Sequence, residues 1–455
     1  MVLLLILAAI ICSNEVFTLG EKELLSLKRL PTARPSPGPA RTFMQKSSAT
    51  ILEMKHRDSS SAQKRLVLDD IRVGSIQTRI KTIVSSKVES SEAQIPINSG
   101  VKLQTLNYIV TATLGSRNLT VIVDTGSDLS WVQCQPCRLC YTQPEPLYNP
   151  LISPSYRSVQ CNSQPCHTLQ YATGNLGLCG SNAPTCNYAV TYGDGSYTRG
   201  ELGSDRLTLG TTKVENFVFG CGRNNKGLFG AASGLMGLGR SDLSLISQTS
   251  DVFGGVFSYC LPDSDSGTSG SLVLGTDTSV FKNSTPFSYT ALVQNPQLYS
   301  FYILNMTGVS VGGVALQSSS FGENGILIDS GTVITRLPPS VYTAVKGEFL
   351  KQFTGYPSAP SFSILDTCFN LSAYEEVNIP TLRLQFEGDA EMSVDVTGMF
   401  YFVKRDASQV CLALASLAYE DEIGIIGNYQ QRNTRVMYDT KQMQVGFAKE
   451  MCSFS

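Results

Sequence analysis

Two short segments of this chain carry the same order of side chains: Val121-Ile122-Val123-Asp124-Thr125-Gly126-Ser127 and, with the aspartates 205 residues apart, Ile326-Leu327-Ile328-Asp329-Ser330-Gly331-Thr332. Each is an apolar strand that ends in Asp, hydroxyl, Gly, hydroxyl. One Asp-Thr-Gly after a strand is an ordinary turn, whereas two copies in matching halves imply two carboxylates brought together across a pseudo-twofold axis. Carboxylates held about 3 Å apart do not both ionise readily, so they share a proton and their apparent pKa values separate. One then acts as base toward a water while the other donates to a carbonyl oxygen, and the pair titrates as a unit. An acidic working pH follows. Gly126 and Gly331 permit the tight turn and close backbone approach, and Ser127 and Thr332 supply hydroxyls that hydrogen-bond the carboxylates and keep them coplanar.

Competing chemistries find few side chains. The chain has two histidines, His56 and His167, the first of them in the N-terminal part, so a Ser-His-Asp or Cys-His arrangement in the body would rest on His167 alone. Cys134, Cys137 and Cys140 have a spacing that a zinc site could share. Thirteen cysteines argue instead for disulfides: loss of Cys12 with an N-terminal leader leaves an even number, enough for six bridges in an oxidising compartment. No cofactor or metal is expected, and His167 reads as a surface histidine.

The elements that must position the aspartates are mostly strands. From about Val101 the chain consists of short runs rich in Val, Ile, Thr, Tyr and Phe between Gly, Asn, Asp and Ser, such as Tyr108 to Leu114, Asn187 to Tyr192, Phe217 to Cys221, Ser271 to Leu274 and Tyr302 to Val309. The clearest helix of this body runs from about Pro339 to Phe353, with Val341, Val345 and Phe349 on one face. A weak repeat extends past the aspartates, since Leu235-Met236-Gly237 follows the first motif and Ile425-Ile426-Gly427 the second. An all-β body of two halves is expected, and 455 residues exceed what one core usually organises.

The N-terminal part differs. Val2 to Ile11 is an apolar run too short to span a bilayer but suited to a signal peptide. Residues 21–100 then carry 14 Lys and Arg against 8 Asp and Glu, whereas residues 101–455 carry 21 against 28. A basic leader ahead of an acidic body fits either a solvated, partly disordered segment or, more sharply, a removable pro-segment that covers an acidic cleft by charge complementarity. Residues 21 to about 63, with Pro31, Pro35, Pro37 and Pro39, read as extended and poorly structured. Residues 64–84 read as a basic amphipathic helix, with Val73, Ile76, Ile80 and Ile83 at helical spacing and Arg72, Arg79 and Lys81 between them, a pattern that fits a pro-segment docking on the body and that a membrane-surface helix shares. Ser85 to Ala93 is a candidate processing link. The expected division is a signal peptide at 1–20, a pro-segment at 21–95, an N-terminal lobe with a Cys-rich insertion at 96–290 and a C-terminal lobe at 291–455.

From Asn107 to the Tyr438-Asp439 and Gly446-Phe447-Ala448 segments the chain resembles the pepsin-like aspartic proteases, and specifically their plant nepenthesin-like branch. The resemblance implies a bilobal β fold with a few short helices, a peptide bound between the lobes, and catalytic roles for Asp124 and Asp329. Tyr192-Gly193-Asp194-Gly195-Ser196 resembles the family's flap, so Tyr192, Gly193 and Asp194 join Gly126, Ser127, Trp131, Gly331 and Thr332 as implied substrate-site residues. Trp131, the one tryptophan, is implied to donate its indole N–H to the Tyr192 hydroxyl. The stretch from Cys134 to Cys186 resembles the branch's insertion, and the pairing it implies is Cys134 with Cys137, Cys140 with Cys221, Cys161 with Cys186, Cys166 with Cys179, Cys260 with Cys452 and Cys368 with Cys411. Met54-Lys55-His56-Arg57-Asp58 resembles the branch's pro-region. The turn Leu114-Gly115-Ser116-Arg117-Asn118 departs from the Leu-Gly-Thr-Pro-like form of relatives.

The expectation is therefore a secreted, acid-active endopeptidase made as a zymogen. Its partners would be polypeptide substrates and pepstatin-type inhibitors. It would be a monomer without a membrane span, located in the apoplast rather than the vacuole. Sequons at Asn118, Asn283, Asn305 and Asn370 agree with secretion and glycosylation. A binding-only relative would lack one of the two aspartate loops, and both are intact. DNA binding needs concentrated positive charge, which the net-acidic body lacks, so no nucleic acid is expected.

Overall fold

The computed structural model of the chain describes residues 20–27, 50–56, 62–85, 108–179, 184–192, 196–227, 229–263, 269–276, 281, 284–296, 298–316, 321 and 325–452. The apolar run at 2–11, most of the processing link, Gly193, Asp194 and Asn283 lie outside the described residues.

Each aspartate ends a strand threaded into the same three-strand unit. In the first half, Tyr108–Leu114 and Arg117–Asp124 form a hairpin with Gly115 at φ 59° in its turn. The first of these strands alternates buried and half-exposed residues, whereas Val121 to Asp124 are all buried, because that end is covered on both faces. Gly234–Gly237 runs parallel to it with Gly237 opposite Asp124, and Trp131–Gln133 packs antiparallel on the other side of Gly234–Gly237. In the second half Ile326–Ile328 runs parallel to Gly424–Ile426, and Thr335–Leu337 lies antiparallel beyond it.

The repeated glycines have a steric cause. A Cβ on Gly237 would stand 2.2 Å from the Asp128 carbonyl oxygen, and one on Gly427 would stand 2.5 Å from that of Val333. Each return strand therefore passes hard against the loop that follows an aspartate. Matching hydroxyls lock the crossing: Gly237 N–H donates to Ser130 Oγ at 3.1 Å and Gly427 N–H to Thr335 Oγ1 at 3.0 Å.

An antiparallel sheet ties the halves together in the order Ser288–Ala291, Gln444–Lys449, Thr434–Asp439, Val256–Cys260, Gly270–Leu274. Its next strand is Thr50–His56, which pairs with Gly270–Leu274 and then with Tyr108–Leu114, burying Leu52 and Met54. Farther toward the N-terminus, Lys22–Ser26 adds antiparallel to Glu376–Pro380, with Leu27 buried behind it. The segment expected to be poorly structured thus contains two strands. The period-two alternation of Leu52-Glu53-Met54-Lys55 carried that signal but was short and was masked by the charges around it.

The leader helix spans Ala62–Ser85, close to the expected 64–84, and Val73, Ile76 and Ile80 are buried. The body helix spans Pro339–Gln352 with Val341, Val345 and Phe349 buried. Among the described residues, no helix is long and apolar enough to cross a membrane.

Six disulfides form, but only Cys260–Cys452 and Cys368–Cys411 follow the implied pairing. The others are Cys134–Cys221, Cys137–Cys140, Cys161–Cys179 and Cys166–Cys186. Strand register explains the first: Val132 lies opposite Cys221, which brings Cys134 to it with a Cα separation of 5.4 Å and leaves Cys137 and Cys140 to close a short loop. Depth sorts the last two. Cys166 and Cys186 are buried and meet inside, while the more accessible Cys161 and Cys179 meet outside. The Cys161, Cys166 and Cys179 sulfurs lie within 4.8 Å of one another, but every one is committed to a disulfide.

Candidate functional site

The two strands deliver Asp124 and Asp329 side by side, fully buried. Asp124 accepts from Gly126 N–H at 3.0 Å and Ser127 Oγ–H at 2.7 Å. Asp329 accepts from Gly331 N–H at 2.8 Å and Thr332 Oγ1–H at 2.6 Å. Of the expected residues, Gly126, Ser127, Gly331 and Thr332 are therefore all gathered on the two carboxylates. Close approach demands both glycines, since a Cβ on Gly126 would lie 2.8 Å from Asp329 Oδ1 and one on Gly331 would lie 2.4 Å from Asp124 Oδ1.

Below the carboxylates the two loops grip each other. Ser330 N–H donates to Thr125 Oγ1 at 2.9 Å, and Thr125 N–H donates to Ser330 Oγ at 3.2 Å. Sequence reasoning assigned no role to this hydroxyl pair, although the matched Thr125 and Ser330 were its visible sign.

Tyr192, the tyrosine of the expected flap, is reached from the first half of the body. Trp131 is fully buried and its Nε1–H donates to the Tyr192 hydroxyl at 2.8 Å, as the resemblance implied. Phe229, which the sequence did not single out, packs edge-on against both rings, with centroids 4.7 Å from Trp131 and 5.5 Å from Tyr192. Burial, and next the charge of Asp124, pushes the Tyr192 phenol well above its ordinary range, so it stays protonated.

The leader helix lies across this site. Arg72 Nη2–H donates to Asp124 Oδ1 at 2.7 Å and to Asp329 Oδ2 at 2.9 Å, and its Nε–H reaches Asp329 Oδ2 at 3.2 Å. One guanidinium thus bridges both carboxylates, a charge-assisted fork of the stronger class. Burial pushes the Asp124 carboxyl up, and the Asp329 charge adds to this against the pull of Arg72. Burial acts upward on Asp329 too, but Arg72 together with the Thr332 and Gly331 hydrogen bonds outweighs it and holds that carboxyl below its usual value. Burial opposes the charge on Arg72, yet the two aspartates overcome it and keep the guanidinium protonated.

Other helix residues grip the walls. Asp69 accepts from the Val333 and Ile334 N–H groups and pairs with the buried Arg336 at 3.0 Å. Gln77 uses its amide on both the N–H and the C=O of Ile423. Lys81 stands 3.6 Å from Glu422. Val73, Ile76 and Ile80 pack against Phe301, Ile303, Leu327, Leu417, Ile423 and Ile425, and Leu66 packs beside Val333, Ile334 and Tyr401.

The remaining expected residues lie apart. Asn118 is exposed on its strand, where Oδ1 accepts from Thr113 Oγ1–H at 2.6 Å. Asn305 donates to Glu387 at 3.3 Å, and Asn370 accepts from Ser372. His167 is exposed.

Comparison with known proteins finds the same frame. The family model described as "Xylanase inhibitor N-terminal" matches residues 108–276, and "Xylanase inhibitor C-terminal" matches residues 301–449. The chain is 43% identical over 396 residues to an aspartyl protease family protein of Arabidopsis thaliana, covering 85% of this chain and 82% of that one. It is 34% identical over 431 residues to aspartic proteinase nepenthesin-1 of Nepenthes gracilis, covering 90% and 94% respectively. Among solved structures, edgp superposes with a TM-score of 0.62 at 19% identity over 90% of this chain and 96% of that one. Basic 7S globulin from soybean gives 0.61 at 20% over 77% and 96%, a likeness of fold.

Proposed function

The chain belongs to the pepsin-like aspartic proteases of plants and is an aspartic-type endopeptidase acting on polypeptides; from that premise we propose that it is made as a secreted zymogen in which Arg72 occupies the place of the catalytic water. The observation that carries this reading is the single Arg72 guanidinium bridging Asp124 and Asp329. The proposed division is a signal peptide at 1–20, a pro-segment at 21–95, and lobes at 96–290 and 291–455, with cleavage in the link after the leader helix. The active form would be an extracellular monomer, inhibited by pepstatin-type compounds that fill the same cleft.

Once the helix leaves, the two carboxylates lose their cation and must share a proton. A water held between them is deprotonated by the ionised member and attacks the scissile carbonyl carbon, while the protonated member donates to the carbonyl oxygen. The resulting tetrahedral diol collapses as a proton passes to the leaving nitrogen, giving a new carboxyl and a new amine. Tyr192, steadied by Trp131, closes over the substrate and excludes water. The Thr125–Ser330 grip keeps the carboxylates at one spacing through the cycle.

Affinity of the leader for the cleft has apolar and polar parts. Burying Leu66, Val73, Ile76 and Ile80 contributes roughly 1.5–3 kcal/mol each before ordering costs. The charged contacts then fix which face of the helix points down. The deciding assay is cleavage of a denatured protein at acid pH after removal of the leader, with and without pepstatin. Asp124→Asn and Asp329→Asn should each abolish turnover while leaving the circular dichroism spectrum intact. Near-normal turnover by either variant would overturn the assignment.

A further inference from the structure

Asp128 lies four residues beyond Asp124, is 1% exposed, and has no part in the two-aspartate chemistry. Its Oδ1 accepts from Ser241 N–H at 2.9 Å and is pressed against Gly239, where a Cβ would stand 2.2 Å from that oxygen. One oxygen therefore ties the aspartate loop to the segment after Gly234–Gly237. The other, Oδ2, faces the leader helix, where Arg79 Nη2 stands 3.5 Å away. The same guanidinium lies over the Phe301 ring, 4.8 Å from its centroid. Tyr299 flanks the place: burial, then the charges of Asp128 and Asp242, push its phenol up to about 12. Arg240 is also within electrostatic reach of Asp128, but its guanidinium is turned to the Phe301 carbonyl at 3.2 Å and to the Met443 sulfur.

A carboxylate above an aromatic face is a built receptor for a guanidinium or ammonium group, and in the precursor Arg79 fills it. Arg72 and Arg79 are seven residues apart on one helix, two turns or roughly 10 Å along its axis. An extended peptide covers that distance in roughly three residues. Burial raises the Asp128 carboxyl against the pull of Arg79, so once the helix leaves, a cation entering from the cleft takes over the part of Arg79 and holds the group ionised.

Resting on the zymogen reading above, we propose that Asp128 and Phe301 form a cation-accepting subsite of the active enzyme, which selects polypeptides carrying Arg or Lys about three residues from the scissile bond. Asp128 is then a specificity residue, and Arg79 is the leader's own occupant of the subsite.

The test uses the activated enzyme and pairs of peptides that differ only by Arg or its neutral isostere citrulline, placed in turn two, three and four residues to either side of the scissile bond. The readouts are the ratio of kcat/KM within each pair and, in the Asp329→Asn variant, the ratio of Kd by fluorescence anisotropy. The expected result is an Arg preference of about tenfold at one of these positions, falling to within twofold in Asp128→Asn, whose amide oxygen still accepts from Ser241 N–H. No Arg preference at any position, or a preference that survives Asp128→Asn, overturns the proposal. If Asp128→Asn does not fold, the wild-type pairs decide alone. If no peptide is cleaved, the two-aspartate reading fails while the Kd ratio still decides the subsite.

Discussion

Replacing Arg72 by Gln in the full-length precursor tests the plug directly. Breaking a buried ion pair by removing one partner costs about 3–5 kcal/mol, and here the removed group serves two carboxylates at 2.7 and 2.9 Å. Two features set the expectation at the lower end: the Arg72 side chain is 19% exposed, and carboxylates left together can share a proton. A loss of about 3 kcal/mol, at about 1.36 kcal/mol per factor of ten, raises the fraction of precursor with an open cleft about 150-fold. The helix would still bind through Leu66, Val73, Ile76 and Ile80, so the variant should be leaky rather than fully active. The assay is the initial rate on a fluorogenic peptide, with intact mass read at each time point to show that the leader is still attached, together with amide exchange across residues 62–85. Arg72→Lys keeps a charge but loses the fork, and should fall between wild type and Arg72→Gln. Unchanged latency and unchanged exchange protection in a folded Arg72→Gln precursor would refute the reasoning.

Three further outcomes are expected. Trp131→Phe keeps a ring against Phe229 but removes the N–H donated to Tyr192; at about 1 kcal/mol for such a bond, kcat/KM of the activated enzyme should fall about fivefold, and an unchanged value would remove the tryptophan from flap support. The precursor's melting temperature should pass through a maximum in the acid range. Burial raises the Asp69, Asp124 and Asp128 carboxyls, so those groups add stability as pH falls through their raised values, whereas Asp329 is held below the ordinary 3.8 and its contribution is lost as pH drops from there through its folded value; a melting temperature that only rises from pH 3 to pH 7 would contradict the signs. Leu27→Ala should destabilise the precursor by about 2 kcal/mol in urea, at the low end for a core leucine, because Leu27 is 9% exposed and fastens Lys22–Ser26 to the second lobe; a smaller change than 0.5 kcal/mol would make that strand dispensable.

The carboxylate pair was legible because its determinants are local. Asp124 and Asp329 sit in copies of one pattern, and each motif's glycine and final hydroxyl bond to its own aspartate. Contacts that depend on register were less legible. Cys134 and Cys221 meet because Trp131–Gln133 lies parallel to Thr212–Lys226, a pairing that spacing does not encode. Arg72 could be placed on a basic helix, but its meeting with both aspartates depends on how that helix is seated, which Asp69, Gln77 and the apolar face decide together. Phe229 gave no signal, since Leu228-Phe229 between two glycines reads as a loop segment. The N-terminal strands were obscured by charge around a short alternation, and Lys22–Ser26 and most of Thr50–His56 pair with strands more than two hundred residues away in sequence.

A segment in the cleft of a protease must avoid being cut, and the leader's secondary structure supplies the means. A substrate offers its backbone as an extended strand, leaving the scissile carbonyl free to meet the carboxylates. In Ala62–Ser85 the interior carbonyls are instead engaged within the helix, so contacts with the cleft fall to side chains. Gln77 presents a side-chain amide where an extended peptide would present its own, satisfying the Ile423 N–H and C=O together. Asp69 does the same for the Val333 and Ile334 N–H groups. At the centre, what meets Asp124 and Asp329 is the guanidinium of Arg72, which has no acyl carbon to attack and carries the charge that removes the pair's ability to share a proton. Under the proposed zymogen reading, unwinding the helix would lose this protection together with the grip of its apolar face, which would make release of the plug and exposure of the leader to cleavage one event.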